Sequence, residues 1–278
     1  MSDYISGKTI VITGAGGGFG RLVAQKAAAR GALVTCGDIN AEGAEETVAG
    51  IVAAGGRAQA LVADVRNLDE LKRLVDASVR EYGSIDVMLN NAGIMPLAFI
   101  ADHALAYDAW MRCIDINIKG VFNGMVAAHD AMISQGRGHF VNISSIYGNF
   151  PVAGAAIYGA TKAAVNFMSE AVRKEARGKI KVTTIKPTGV PSTGLGGSVV
   201  NRAAIVGIVG HNIEPFMALA KGMAEGPLPS DLSDPERISH MPLGPESIAD
   251  AVLLAIDQPW GVSVSDMTVR ASADYFVL

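Results

Sequence analysis

Along this chain, short runs of apolar residues alternate with longer stretches in which apolar positions recur every three or four residues. Lys8-Thr-Ile-Val-Ile-Thr13 is a compact apolar run, and it leads directly into Gly14-Ala-Gly-Gly-Gly-Phe-Gly20. The stretch that follows carries Leu22, Val23, Ala27 and Ala28 at helical spacing and ends near Gly31. A second run, Leu33–Gly37, ends in Asp38. The same rhythm predicts a helix over 41–54, a strand over Ala58–Ala63 and a helix over 67–82, whose stripe is Leu68, Leu71, Leu74, Val75 and Val79. A fourth strand over Ile85–Leu89 runs into Asn90-Asn91-Ala92-Gly93. Helix follows over most of 103–135, then a strand over His139–Ser145, a helix over 156–177 and a strand over Lys181–Ile185. Residues 191–243 break the rhythm and read as one or two short helices forming a mobile lid; a last helix over 245–257 and a strand over Val262–Val269 complete the pattern.

Strands alternating with helices predict an α/β fold of the Rossmann type: a doubly wound, parallel, seven-stranded sheet with helices on both faces. Half of the 278 residues are in the hydrophobic set and 18% are charged, which suits one domain over 1–278. The net charge of −4 comes from interspersed acids and bases, so there is no basic stripe for nucleic acid and no membrane-surface helix. No uninterrupted apolar run approaches the roughly 18–20 residues of a membrane span. Cys36 and Cys113 are isolated and far from any His cluster, so no metal is expected and a reducing, cytoplasmic setting is.

Two stretches carry chemistry. The first is the glycine turn, which fits T-G-x-x-x-G-x-G through Thr13, Gly14, Gly18 and Gly20, with Phe19 inside it. Positions without side chains let backbone N–H groups approach a pyrophosphate at a helix N-terminus. Asp38, with Ile39 beside it, ends the second strand, where a carboxylate accepts hydrogen bonds from ribose hydroxyls and repels a 2′-phosphate. No Arg or Lys lies within 13–20 or directly after Asp38, which favours NAD over NADP. Asp38 as a cap of the next helix is the competing role. Asp64-Val65, at the end of the third strand, allows a contact to adenine or an ordinary turn acid.

The second stretch is Tyr158-Gly-Ala-Thr-Lys162, with Ser145 thirteen residues before the tyrosine. On a helix Tyr158 and Lys162 share a face, and an ammonium beside a phenol favours the phenolate. Lowering a tyrosine from about 10 to about 7 requires roughly 4 kcal/mol. One ammonium rarely supplies that much, so a second positive charge, such as an oxidised nicotinamide, is implied. Asn117 interrupts an apolar stretch, either bracing the helix backbone or holding a water near Lys162.

Together these residues resemble the short-chain dehydrogenase/reductase family: Thr13-Gly14-x-x-x-Gly18-x-Gly20, Asn90-Asn91-Ala92-Gly93, Asn117, Ser145 and Tyr158-x-x-x-Lys162, in order, from about residue 6 to 270. The resemblance implies hydride transfer between a nicotinamide and an alcohol carbon. It makes Tyr158 the general acid/base, Lys162 its pKa-lowering and ribose-binding partner, Ser145 the group that polarises the substrate oxygen and Asn117 part of a water-linked relay. It also implies cofactor contacts at Asn91, Ala92, Gly93, Pro187, Thr188 and Val190, although the family's Pro-Gly after the sixth strand is replaced here by Pro187-Thr188-Gly189.

The expected partner is a small apolar secondary alcohol or ketone, bulky if the lid covers a large pocket. Met95, Tyr147 and Val152 are the first substrate-contact candidates, with Pro96, Ile146, Phe150, Phe216, Met217 and Met223 behind them. His211 reads as a surface or lid residue. No arginine cluster faces the expected site, which disfavours a phosphorylated substrate. A carbonyl reductase working in the reducing direction and a non-catalytic NAD-binding regulator are the alternatives. The resemblance further implies a homo-oligomer, tetramer or dimer, joined through the helices at 103–135 and 156–177.

Overall fold

A computed structural model describes residues 3–191 and 193–277; Ser192 of the expected lid and the ends of the expected 1–278 domain lie outside the described residues. Among the described residues the strands β1 (Thr9–Thr13), β2 (Leu33–Asp38), β3 (Arg57–Val62), β4 (Val87–Asn90), β5 (Gly138–Ile143), β6 (Ile180–Pro187) and β7 (Asp266–Val269) form one sheet in the order β3-β2-β1-β4-β5-β6-β7. Every neighbouring pair is parallel. All five residues of β1 are buried, because a parallel sheet is covered on both faces.

The helices explain that cover. On one face α1 (Gly18–Ala29), α2 (Ala41–Ala53) and α10 (Pro245–Ile256) pack with Ile10, Ile12, Val34 and Cys36. On the other, α3 (Leu68–Tyr82), α5 (Gly120–Ser134) and α6 (Ala156–Glu175) pack with Val11, Met88 and Phe140. Ile10, Val11 and Ile12 thus alternate between the two cores, as successive strand residues must. The stripe on α3 is real: Leu71, Leu74 and Val75 are at most 1% exposed, each burial being worth about 1.5–3 kcal/mol.

Several boundaries move for local reasons. β4 starts two residues late because the Ile85 N–H and C=O are taken by the side chain of Gln135. β7 is limited to Asp266–Val269 rather than starting at Val262, since Lys181 Nζ and Thr183 Oγ1 donate to the carbonyls of Val262 and Val264. The 103–135 helix is α4 (His103–Ile114) and α5 separated by a π-helical turn, Asp115–Lys119.

The lid is more fragmented than one or two helices. It contains short 3₁₀ turns, α7 (Val206–Val209), α8 (Ile213–Glu225) and α9 (Ser230–Ser233). Residues Arg202–Glu225 are long and apolar enough to cross a membrane by length and composition, contrary to the reading of uninterrupted runs. The stretch bends at Gly210, whose φ is +53°, and Ile205, Ile208, Phe216, Leu219 and Met223 from it line a cavity of the protein.

Candidate active site

The C-terminal ends of the strands open into a cavity of about 820 Å³, where ligands bind in open parallel sheets. Part of its wall is the turn from β1 into α1. Gly14 and Gly18 adopt φ of +67° and +50°, a region closed to most side chains, and a Cβ on Gly14 would lie 2.9 Å from Ala92 Cα. Gly14, Gly18 and Phe19 line the cavity. Gly20 lies one step behind: a Cβ there would come within 2.2 Å of the Gly14 carbonyl oxygen, so this glycine holds the turn against α1 rather than meeting a ligand.

Asp38 and Ile39 line the same cavity at the end of β2. The Asp38 carboxylate accepts from the Gly16 N–H (2.8 Å) and the Asn40 N–H (2.9 Å), tying the glycine turn to the strand end. It is not the helix cap, because Asn40 caps α2 by accepting from Gly43 N–H. At the end of β3, Asp64 and Val65 are also in the wall. Asp64 takes the turn-acid role: Arg66 donates to it through its backbone N–H and its guanidinium, which holds the carboxyl below the usual range. Asn67, not Asp64, is the residue that caps α3. Arg66 itself lines the cavity. No motif marked it, since only folding brings the end of β3 beside the end of β2.

Asn91, Ala92 and Gly93 continue the wall after β4. The Asn91 amide donates to the carbonyls of Thr13 and Gly14, and Thr13 Oγ1 accepts from the N–H groups of Asn91 and Ala92. Gly93 lets the chain pass between two polar groups: a Cβ would sit 3.3 Å from Asn117 Oδ1 and 3.6 Å from Lys162 Nζ. Asn117, fully buried in the π-helical turn, accepts from Ile94 N–H (3.0 Å) and donates to the Ile94 carbonyl (2.9 Å) and Thr161 Oγ1 (3.1 Å). Its amide therefore braces the loop after β4, and it is not itself in the cavity wall.

Tyr158, Lys162 and Ser145 meet in the cavity. Lys162 Nζ donates to the Ile143 carbonyl (2.9 Å) and stands 5.8 Å from the Tyr158 ring centroid. Burial pushes the Tyr158 phenol above its ordinary pKa, while a hydrogen bond with Ser145 pulls it the other way. Burial pushes the Lys162 ammonium down to about 8. The expected lowering of the tyrosine is thus reversed in the protein alone, because desolvation outweighs the hydrogen bond with Ser145. Ser144 turns away and donates to the Lys162 carbonyl, which leaves Ser145 as the serine beside the tyrosine.

Pro187, Thr188 and Val190 line the cavity after β6, and Thr188 Oγ1 is buried with no hydrogen-bonding partner among the described residues. Met95, Tyr147, Ile146, Phe216 and Met223 line it too. Val152 does not; it packs with the lid core behind the wall. Pro96 turns its carbonyl to the Trp110 indole N–H, and Phe150 (59% exposed) and Met217 (55%) face outwards, as does His211. Two arginines, Arg66 and Arg112, line the cavity, and Arg66 is paired with Asp64. The C-terminal residues Ala271, Asp274 and Phe276 complete the wall without any signal in the sequence.

These features fit a dinucleotide: a side-chain-free turn at a helix N-terminus, a carboxylate at the end of β2, and an orphaned buried hydroxyl at Thr188. Residues 8–203 match the family model for short chain dehydrogenases. The chain is 37% identical over 192 residues to the 2,5-dichloro-2,5-cyclohexadiene-1,4-diol dehydrogenase of Sphingobium indicum, covering 68% of this chain and 76% of that one. Among solved structures it is similar to a short-chain dehydrogenase/reductase of Burkholderia phymatum in complex with NAD (25% identity, TM-score 0.75, 96% and 90% of the two chains covered). It is also similar to a metagenomic short-chain oxidoreductase in complex with NADP (26% identity, TM-score 0.72, 96% and 98% covered). The matched motifs, the sheet order and these likenesses agree, and the chain belongs to the short-chain dehydrogenase/reductase family of oxidoreductases.

Proposed function

We propose that the protein is an NAD-dependent oxidoreductase acting on an apolar secondary alcohol or its ketone. The observation that carries this is the meeting of Ser145, Tyr158 and Lys162 in one cavity with the glycine turn and Asp38. Gly14, Gly18, Asp38, Gly93, Lys162 and Thr188 would hold the dinucleotide, which when bound supplies the hydride acceptor or donor. Ser145 holds the substrate oxygen and Tyr158 Oη takes or gives its proton, a step worth roughly 10²–10⁴-fold. Lys162 keeps positive charge near that oxygen, and Asn117 fixes the backbone around it. The charge of Asp38 favours NAD, because no cation lies close in sequence to offset it against a 2′-phosphate.

The apolar reading of the substrate draws on Ile205, Ile208, Phe216, Leu219 and Met223, which bring hydrocarbon to the cavity from the lid. The relative that acts on a cyclohexadiene diol supports a carbocyclic alcohol. A cytoplasmic setting and a homo-oligomer are part of the same proposal. The oligomer draws support from Leu105 (82% exposed), Phe122 (52%) and Phe167 (79%) on α4, α5 and α6. Sedimentation of the purified protein tests it, and a monomer at micromolar concentration rules it out.

The deciding experiment is nicotinamide absorbance at 340 nm with NAD⁺ or NADP⁺ and secondary alcohols from small to bulky. NAD⁺-dependent turnover is expected. Preference for NADP⁺ refutes the role of Asp38, and silence despite dinucleotide binding favours a binding-only protein.

A further inference from the structure

The wall formed by the C-terminal tail is the part of the cavity that no motif announces. After β7 the chain folds back, and Arg270 pairs with Asp274 at 2.7 Å, the latter side chain being only 6% exposed. Beyond this turn the tail is tied to the lid: Val277 N–H donates to the Ile208 carbonyl (2.9 Å), and Asn212 Nδ2 donates to the Tyr275 carbonyl (3.0 Å). Between these ties the Phe276 ring enters the cavity wall. It occupies space that residue 189 leaves by lacking a side chain, since a Cβ on Gly189 would lie 2.2 Å from Phe276 Cζ and 2.6 Å from Cε2. Gly189 sits between Thr188 and Val190 in the turn after β6. On its other side the ring meets Phe216 of α8, with centroids 6.3 Å apart at 54°.

We propose that Phe276 is a specificity-determining residue whose ring sets how large a substrate the cavity admits. The ring spans from the turn after β6 to α8, so removing it enlarges the cavity at a place where the tail backbone remains tied. This inference rests on the alcohol/ketone reading above. It gives Gly189 a reason of its own: the residue is small here so that an aromatic ring from the far end of the chain can replace its side chain.

The test uses the full-length protein with NADH or NADPH and two ketones, cyclohexanone and the fused-ring 2-decalone. Phe276→Ala is expected to raise the 2-decalone to cyclohexanone ratio of kcat/KM by about tenfold or more, with an intermediate rise for Phe276→Leu and unchanged NADH affinity. An unchanged ratio in a folded, active variant overturns the proposal. If Phe276→Ala does not fold, Phe276→Leu decides by the same ratio. If the wild type binds NADH yet reduces neither ketone, the functional reading fails and the size role is read from binding of 1-anilinonaphthalene-8-sulfonate in the presence of NADH. Binding about tenfold tighter in Phe276→Ala upholds the role, and equal binding overturns it.

Discussion

Lys162 Nζ lies 5.8 Å from the Tyr158 ring centroid and spends a hydrogen bond on the Ile143 carbonyl, so the ammonium is fixed beside the phenol by the end of β5. The pair shares one helix face, but the strand sets its geometry. Tyr158→Phe keeps the ring and removes the proton-transfer oxygen. Turnover should fall by at least about 10²-fold while NAD affinity, measured by fluorescence titration, stays near the wild-type value.

Lys162 should titrate unusually low in the protein without cofactor. Burial moves its pKa from 10.5 to about 8, so the folded state holds fewer protons than the unfolded chain between those values. Stability from this group therefore rises as pH climbs from about 8 towards 10.5, and below 8 the charged form carries its full desolvation cost. Lysine-selective NMR should find the transition near 8, and Lys162→Met should remove this contribution to the slope of stability with pH.

Asp38→Asn removes charge while leaving an oxygen to accept from Gly16 N–H (2.8 Å). The NAD-over-NADP preference in kcat/KM should shrink by roughly tenfold, equivalent to about 1.4 kcal/mol. An unchanged preference would place the selection elsewhere, with Arg66 the next residue to vary.

The glycines of the turn should not be equivalent. A Cβ on Gly17 meets nothing within 4 Å, whereas one on Gly20 would overlap the Gly14 carbonyl oxygen at 2.2 Å. Gly20→Ala should cost about 1–3 kcal/mol and weaken dinucleotide binding. Gly17→Ala should leave folding, followed by thermal unfolding, nearly unchanged.

Asn117→Ala should act through the loop after β4. It strands the Ile94 N–H, which Asn117 contacts at 3.0 Å, and leaves the Ile94 carbonyl only the Cys113 thiol at 3.7 Å. Leaving the N–H unpaired costs about 1–3 kcal/mol when buried, so urea unfolding should show a clear loss of stability alongside reduced kcat. Loss of kcat with full stability would argue for a relay role instead.

Much of this protein is legible along the chain because the information is local. Strand and helix periods, the glycine turn, the acid ending β2 and the Tyr158–Lys162 spacing all depend on neighbours within a few residues, and together they suffice for the sheet and for part of the cavity wall. Other properties depended on partners distant in sequence. Asn117, in the π-helical turn, bridges to Ile94 across 23 residues, and the local Asp64–Arg66 turn reaches the cavity rim only because of where the sheet sets the end of β3. Val152, Phe150 and Met217 have the apolar character of pocket residues but point elsewhere, because apolarity specifies burial or contact without specifying direction. Phe276 is the opposite case, an unremarkable residue near the end of the chain that becomes part of the wall only when the tail crosses to Gly189 and Phe216. The pKa of Tyr158 also belongs to the tertiary structure: the sequence places an ammonium one helical turn away, but it is the packing around the phenol that supplies the desolvation raising it.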